Sequence, residues 1–244
     1  FLGRLWTVRG EGLAYLAVVL DRRRGGRALR RARALVGRSP EEVAERLSWA
    51  WEEFRRLDVM AVVQPRSIAA ARAVRARLVS EWRRQALSLR RRGRPGDLAA
   101  AARLEKMAGE LPRKPQRFLA RPESAYELTD TLFADFDTEA PPEALLSAMG
   151  WLGDRAYAVL WTGGGYHVLW KLDRPVPLSS AISAMRRRLE EMAWLGADVQ
   201  ATNPSSMVRI PGSLNTRRGV RVRLLIWRDE VLPWEALREH KLKG

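Results

Sequence analysis

Two aspartates stand one residue apart in a short apolar segment, Leu132 to Asp137, whose composition is typical of a β-strand. Residues i and i+2 of a strand point to the same face, so Asp135 and Asp137 are predicted to lie side by side. Two such carboxylates repel each other unless a cation sits between them. Hard oxygen ligands of this kind suit Mg²⁺ or Mn²⁺. The alternative is an acidic strand end on the surface, because the D-x-D pattern alone is common.

A glycine-rich turn follows further along the chain. The run Thr162 to His167 contains three glycines, the last of them Gly165, between two segments of strand composition. These glycines either allow the backbone to approach a phosphate closely or simply make a hairpin turn. His167 is either a satisfied structural residue of an apolar strand or the donor of a hydrogen bond to a triphosphate.

A third polar segment contains Asp198 and, after it, the run from Arg209 to Arg218. Asp198 alone could be an acid at a helix end with no further role. The stretch from Arg209 to Asn215 is typical of a strand followed by a turn. Arg217 and Arg218 come after that turn and are free to bind phosphates.

The elements of the second half predict one sheet that carries all three segments. The predicted elements are strands over 132–137, 156–161, 166–172 and 220–227 and helices that begin at Pro141, cover 178–195 and begin at Pro233. The order strand-helix-strand-strand-helix-strand, before the terminal helix, can form an antiparallel sheet with helices on one face. The sequence therefore predicts an α+β, palm-like layer.

The first half of the chain is predicted to be mainly helical. Its predicted elements are a helix starting at Ser39 and Pro40, a buried strand over 59–63, a helix from Ser67 to about Arg90, and a helix from Asp97 to about Gly109. Ser at the N-cap with Pro at the first helical position is a strong helix start. The change of character predicts two modules, 1–120 and 121–244, which together form one unit.

The charge of the chain is uneven. The formal net charge is +16, and residues 1–120 hold 28 Lys or Arg against 12 Asp or Glu, whereas residues 121–244 hold 16 of each. A polyanionic partner is the simplest reason for such a bias. The alternative is an arginine-rich proteome, because Arg outnumbers Lys 39 to 5.

The composition also excludes several kinds of site. The chain has no Cys and two His, which rules out disulfides, thiolate zinc sites and cysteine nucleophiles.

The apolar run Leu13 to Leu20 is shorter than the roughly 18 residues of a membrane span. No small-residue cleavage site follows it, so a secretory signal is rejected. A cytoplasmic protein without a membrane partner is expected.

Taken together, the three polar segments resemble the archaeo-eukaryotic primase superfamily, especially the RepB-like and PrimPol-type primases of plasmids, viruses and other mobile elements. That family has an h-D-h-D strand, an S/T-G-x-G-x-H hairpin, and an acid followed by R-h-P-G-S/T-x-N-x-K/R, where h is apolar. Here these are residues 133–137, residues 162–167, and Asp198 with residues 209–217. The final motif is the most specific of the three and the carboxylate pair the least.

The resemblance implies an α+β archaeo-eukaryotic primase fold, in which an RRM-like palm sheet is completed by a mainly helical, basic N-terminal α/β module. It implies that Asp135, Asp137 and Asp198 are catalytic and hold two Mg²⁺ or Mn²⁺ ions, and that His167 contacts the phosphates of an incoming nucleotide. Further nucleotide-binding residues implied by the motifs are Gly165, Thr162, Arg209, Asn215 and Arg217. Charge and position alone predict DNA contacts by Arg83, Arg84 and Arg218.

The implied activity is DNA-templated nucleotidyl transfer, in which a DNA primase or polymerase makes primers or extends DNA from nucleoside triphosphates during replication of a plasmid, virus or mobile element. The implied partners are single-stranded template or primer-template DNA, nucleoside triphosphates, and a fused or separate helicase. The absence of Cys departs from relatives that carry a zinc-binding knuckle.

Three other functions are weighed against this one. A gap-filling repair polymerase of the same fold has no motif that separates it from a primase. A non-catalytic single-stranded-DNA-binding replication protein would tolerate loss of the acids, yet all three are present. A rolling-circle or relaxase nuclease is disfavoured, because that chemistry normally needs paired histidines and a tyrosine nucleophile.

Overall fold

Two antiparallel β-sheets pack face to face in this chain, one formed mainly by the first half of the sequence and the other by the second. The computed structural model describes residues 1–9, 11, 13–22, 29–49, 51–54, 56–111, 119, 123 and 125–239, and for residues 20–22, 29–33, 53 and 54 the backbone alone. We call the two sheets the first sheet and the palm sheet.

The first sheet has the strand order β2-β1-β3-β9, with a short additional strand, β4, paired to β1. Its strands are β1 (Leu13–Arg22), β2 (Leu29–Gly37), β3 (Asp58–Val62), β4 (Arg66–Ser67) and β9 (Met207–Arg209). The strand predicted over 59–63 is confirmed as β3, whose five residues are all buried. Because β9 comes from the second half of the chain, this sheet spans both predicted modules.

The sequence pattern does not predict β1 and β2, and the first half therefore contains more strand than expected. β1 is an inner strand with both faces covered. Tyr15 and Ala17 are buried in the core between the two sheets, whereas Ala14 is buried against a helix on the other side. A strand buried on both faces has a continuous apolar sequence without a period of two, and such a run cannot be distinguished from a helix by periodicity.

The helices described in the first half are α1 (Leu2–Leu5), α2 (Pro40–Trp49), α3 (Trp51–Phe54), α4 (Ile68–Arg92) and α5 (Pro95–Glu110). Helices α2 and α4 begin directly after the serines predicted to cap them, whereas α5 begins at Pro95 and not at the predicted Asp97, because Pro is favoured at the first helical position. Helices α1 and α3 were not predicted. The side chain of Ser39 accepts a hydrogen bond from the backbone N–H of Glu42 at 3.2 Å, and that of Ser67 accepts one from Ala70 at 3.1 Å. Within the described residues, no helix combines the length and the apolar character that crossing a bilayer requires.

The palm sheet has the strand order β12-β6-β7-β5-β8, and every neighbouring pair is antiparallel. Its strands are β5 (Leu128–Phe136), β6 (Ala158–Trp161), β7 (Tyr166–Pro177), β8 (Ala197–Asp198) and β12 (Arg223–Trp227), and the helices of this half are α6 (Pro142–Ala148), α7 (Trp151–Asp154), α8 (Leu178–Glu191) and α9 (Trp234–Glu239). The predicted α+β palm layer is confirmed.

Several predicted boundaries in the second half are wrong in detail. β5 begins four residues before the predicted Leu132, and β7 ends five residues after the predicted Leu172. The strand predicted over 220–227 is divided into β11 (Val220–Arg221) and β12, and β11 pairs with β10 (Leu214–Asn215) in a separate hairpin. The helix predicted over 178–195 ends at Glu191, and a turn of 3₁₀-helix follows over Ala193–Leu195.

The palm sheet is buried on both faces. Ala134, Phe136 and Trp170 face a core formed with the helices of the second half. Phe133 and Leu169 face the opposite core, which is shared with the first sheet. Alternate residues of one strand therefore belong to two different cores, and the acidic end of β5 lies on the side of the first sheet.

A buried lysine connects the palm sheet to the N-terminal segment. The ammonium group of Lys171 donates hydrogen bonds to the carbonyl of Leu5 at 3.1 Å, to the hydroxyls of Thr7 at 2.7 Å and Thr131 at 2.5 Å, and to the carboxylate of Asp130 at 3.3 Å. Burial lowers the pKa of Lys171, and the nearby carboxylate of Asp130 opposes that shift. Every polar partner of this amine lies at the junction of the two halves.

We expect Lys171→Met to lower the free energy of unfolding by about 3–5 kcal/mol, because it leaves the poorly exposed carboxylate of Asp130 without its cation. Urea unfolding measures the change. In the double variant Lys171→Met/Asp130→Asn the uncompensated charge is gone, so part of the loss should be recovered. A double variant no more stable than Lys171→Met alone would show that the charge of Asp130 is not what Lys171 balances.

Candidate functional site

Three polar side chains form a row across neighbouring strands at one end of the palm sheet. In the register of the sheet, Asp135 on β5 is directly opposite His167 on β7 and directly opposite Asp198 on β8. Residues paired in this way share one face of a sheet. Asp137 lies just past the end of β5, and its backbone N–H donates to the carbonyl of Gly196 at 2.8 Å. The structure thus brings together the four residues in which the sequence predicted the chemistry.

Two glycines allow the flanking segments to approach the acidic strand. A Cβ atom on Gly165 would lie 2.0 Å from the carbonyl oxygen of Phe136, and one on Gly196 would lie 2.3 Å from that of Asp137. No side chain fits at either position. The sequence motif indicates Gly165, but Gly196 has no motif around it and was not predicted.

The carboxylate row carries uncompensated negative charge. The pKa of Asp135 is raised to about 6, first by burial and then by the charges of Asp137 and Asp198, while the positive charge of Arg209 opposes the shift. A divalent cation between the acids would relieve this repulsion, and carboxylate oxygens are the donors that Mg²⁺ and Mn²⁺ prefer.

The chemistry of the carboxylate oxygens therefore fits a divalent metal, although the side chains are not arranged as a complete set of ligands. Among the residues that the structure describes, no group of three or more His, Asp or Glu is arranged to hold a single ion. The carboxylate of Asp198 instead accepts a hydrogen bond from the backbone N–H of Gln200 at 2.8 Å, which caps the 3₁₀-helix Val199–Ala201.

His167 is buried and neutral. Its Nδ1 accepts a hydrogen bond from the backbone N–H of Arg209 at 3.3 Å, and its Nε2 lies 3.8 Å from a carboxylate oxygen of Asp135. Burial, followed by the positive charge of Arg209, lowers the pKa of His167 to about 3. Because Nδ1 is an acceptor, hydrogen-bond geometry assigns the proton of the neutral ring to Nε2, on the side of the carboxylates.

The residues of the last motif mostly build the site's framework. The side-chain amide of Asn215 donates to the carbonyl of Thr162 at 2.6 Å, and its oxygen accepts from the backbone N–H of Arg217 at 3.2 Å. The backbone N–H of Thr162 in turn donates to the carbonyl of Gly165 at 3.0 Å. Asn215 and Thr162 are buried, so in this structure they fix the glycine turn.

Arg217 and Arg218 are exposed beyond this turn. The guanidinium group of Arg218 lies over Gly164, where an added Cβ would come within 2.8 Å of its Nε. Arg83 and Arg84 lie elsewhere, exposed on α4, whose buried residues Ala71 and Val74 pack on the first sheet. The structure does not bring these two arginines into the carboxylate row.

Asp58 belongs to the site, but no motif in the sequence indicates it. It is fully buried at the start of β3, forms an ion pair with the guanidinium group of Arg209, and accepts a hydrogen bond from the hydroxyl of Thr216 at 2.7 Å. Its partners are more than 150 residues away in the chain. The one available signal is an acid directly before the buried apolar run Val59–Val63.

Comparison with known proteins identifies the fold. No protein-family model and no curated protein sequence matches the chain. The AEP domain of the primase-polymerase (PrimPol) of cyanophage S-2L has a similar structure, with a TM-score of 0.52 and 13% identity, over 93% of this chain and 87% of that one. The catalytic domain of the primase RepB′, solved in complex with initiator DNA, gives a TM-score of 0.47 and 14% identity, over 90% of this chain and 79% of that one. The chain has the archaeo-eukaryotic primase fold that the motifs predict.

We expect Asp135→Asn to stabilise the fold in the presence of a chelator. A carboxyl group whose pKa is about 6 in the folded chain, against 3.8 ordinarily, is destabilising when ionised. Because the side chain is 34% exposed, solvent screening limits the gain at pH 7.5 to about 1–2 kcal/mol. The gain should be complete above pH 6 and vanish as the pH falls to 3.8. Urea unfolding between pH 4 and 8 measures it, and a pH-independent difference would contradict the raised pKa of Asp135.

Asp58→Asn should both destabilise the fold and disturb His167, because Arg209 contacts both residues. Breaking a buried ion pair costs about 3–5 kcal/mol. The chain has two histidines, so ¹⁵N-histidine labelling resolves the Nδ1 signal of His167, which should shift when the Arg209 segment moves. The matched control is Asp130→Asn, which breaks the other buried pair and should destabilise without that shift. An unchanged His167 signal in the Asp58 variant would contradict the positioning role.

Proposed function

We propose that this chain is a DNA-templated nucleotidyltransferase, a primase-polymerase that joins nucleotides from nucleoside triphosphates. The observation that carries the proposal is the row of Asp198, Asp135 and His167 on three neighbouring strands, with Asp137 beside it. This row lies on a fold shared with a protein described as a primase-polymerase.

Asp135, Asp137 and Asp198 are proposed to hold two Mg²⁺ or Mn²⁺ ions. When bound, such ions activate an attacking 3′-hydroxyl and stabilise the leaving pyrophosphate in an in-line displacement. The raised pKa of Asp135 supports the assignment, because burial and then the charges of Asp137 and Asp198 disfavour its ionised form, which a bound cation would stabilise.

The remaining polar residues are proposed to bind and orient the nucleotide. The neutral ring of His167 presents a fixed N–H donor toward the acids, which suits a phosphate oxygen of the incoming nucleotide. Arg217 is exposed on the turn held by Asn215, and its guanidinium group is proposed to bind the triphosphate. Thr162, Gly165 and Arg209 act by shaping this turn and by fixing His167.

The DNA template is proposed to bind through the positive charge of the first half and through Arg218 beside the glycine turn. Contacts between arginine and phosphate give affinity that is sequence-tolerant and salt-sensitive. Such a chain would supply primers or extend DNA during replication of a plasmid, virus or mobile element, alongside a fused or separate helicase.

Incorporation on a single-stranded template without a primer tests the proposal, with labelled ribonucleotides and deoxynucleotides compared in Mg²⁺ and Mn²⁺. We expect template-dependent products. The variant Asp135→Ala/Asp137→Ala should fold and bind template, yet lose at least about three orders of magnitude in incorporation, because bound metals supply several kcal/mol of transition-state stabilisation.

The outcomes separate the candidate activities. Incorporation that survives the double change would overturn the assignment of the acids. Products that appear only when a primer is annealed to the template would indicate a gap-filling polymerase. Template binding without any incorporation would indicate a non-catalytic replication protein.

A further inference from the structure

A cavity of about 410 Å³ opens on the side of the first sheet that faces α4. Its wall includes the apolar residues Val36 and Ile68, and four arginines surround it, which are Arg38, Arg46, Arg72 and Arg75. Glu42 is the one acidic residue among the described residues that line it. The cavity therefore combines an apolar surface with a strong excess of positive charge.

Three of these arginines are available to a ligand. Arg46 is occupied, since it donates to the carbonyl of Val36 and lies 3.9 Å from the carboxylate of Glu42. Within the described part of the chain, the guanidinium groups of Arg38, Arg72 and Arg75 form no ion pair. Unpaired guanidinium groups around a concave surface favour an anionic ligand.

The cavity continues along α4. Arg72 and Arg75 also line a second groove further along the helix. Its wall includes the cations Arg83 and Arg84 and the apolar residues Val79 and Leu87. Leu87 is 57% exposed. From Ile68 to Leu87 the helix rises about 28 Å at 1.5 Å per residue. We define the α4 groove as this continuous surface, whose cations are Arg38, Arg72, Arg75, Arg83 and Arg84.

The α4 groove cannot be part of the catalytic row. Ala14 of β1 packs with Ala71 and Val74 beneath the groove, whereas the neighbouring residue Tyr15 points into the core that the first sheet shares with the palm sheet. The carboxylates lie beyond that core, on the palm sheet. A ligand in the groove is therefore separated from Asp135 by the whole thickness of the first sheet.

We propose that the α4 groove binds single-stranded DNA outside the catalytic cleft and holds the part of the template that is not being copied. The inference rests on the proposed function in naming the ligand as template. The groove is longer than a mononucleotide, and its arginines are distributed along it, so they can contact several phosphates of one strand. Its apolar residues, the half-buried Val36, Ile68 and Val79 and the exposed Leu87, can contact unpaired bases, which a duplex would keep in its interior.

The test measures binding of a labelled 30-nucleotide single strand to the full chain, in chelator and without nucleotides, across a salt titration. Arg72→Gln/Arg75→Gln removes the two arginines common to both parts of the groove. We expect affinity to fall at least about tenfold at low salt, and the salt slope to fall by about 1.4, at about 0.7 per phosphate contact on a single strand. The matched control is Arg91→Gln/Arg92→Gln, on exposed positions of the same helix beyond the groove, which should stay within about twofold of wild type.

Several outcomes overturn the proposal and one supports it. Wild-type affinity of the Arg72/Arg75 variant, an equal loss in the control, or equal competition by duplex DNA or by polyglutamate would each contradict a single-strand groove. Loss of binding in the Arg72/Arg75 variant alone supports the groove even if no variant incorporates nucleotides, so failure of the catalytic proposal is distinguishable.

Discussion

Keeping three carboxylates together around a half-buried position is the constraint on which the rest of the site depends. The raised pKa of Asp135 reports first the cost of burying its charge and then the repulsion from Asp137 and Asp198. The fold holds them there because the hydrogen-bonded strands fix their spacing and because glycines on both sides let the backbone close in. The three carboxylates are held together by the pairing of the strands and not by attraction among themselves.

The first sheet contributes to the site through Arg209 and its partner Asp58. Arg209 ends β9, the strand that the second half of the chain adds to the first sheet, and its guanidinium group is paired with the buried Asp58. Its backbone N–H simultaneously fixes the ring of His167. The orientation of a palm-sheet residue thus depends on an acid from the opposite half, and the two halves must fold as one unit for the site to form.

Local patterns in the sequence predict those parts of the site that depend on near neighbours. The spacing of Asp135 and Asp137 places Phe136 on the opposite face, as observed, because a strand alternates by geometry. Asp58 could not be predicted, since its partners are brought to it only by long-range pairing of strands. The motif around Asn215 identifies the residue but not its buried, structural role. β1 was not predicted, because burial on both faces removes the alternation of apolar and polar residues that indicates a strand.

The distribution of arginine follows from the same electrostatics. A free guanidinium group beside the carboxylates would compete with divalent cations, and Arg209 already lowers the pKa of Asp135. Its pairing with Asp58 limits that competition. Positive charge for the proposed DNA partner is therefore better placed mainly away from the acids, and residues 1–120 carry the whole excess while residues 121–244 are balanced. The first sheet, lying between the α4 groove and the palm sheet, separates the two kinds of charge and lets one chain carry both.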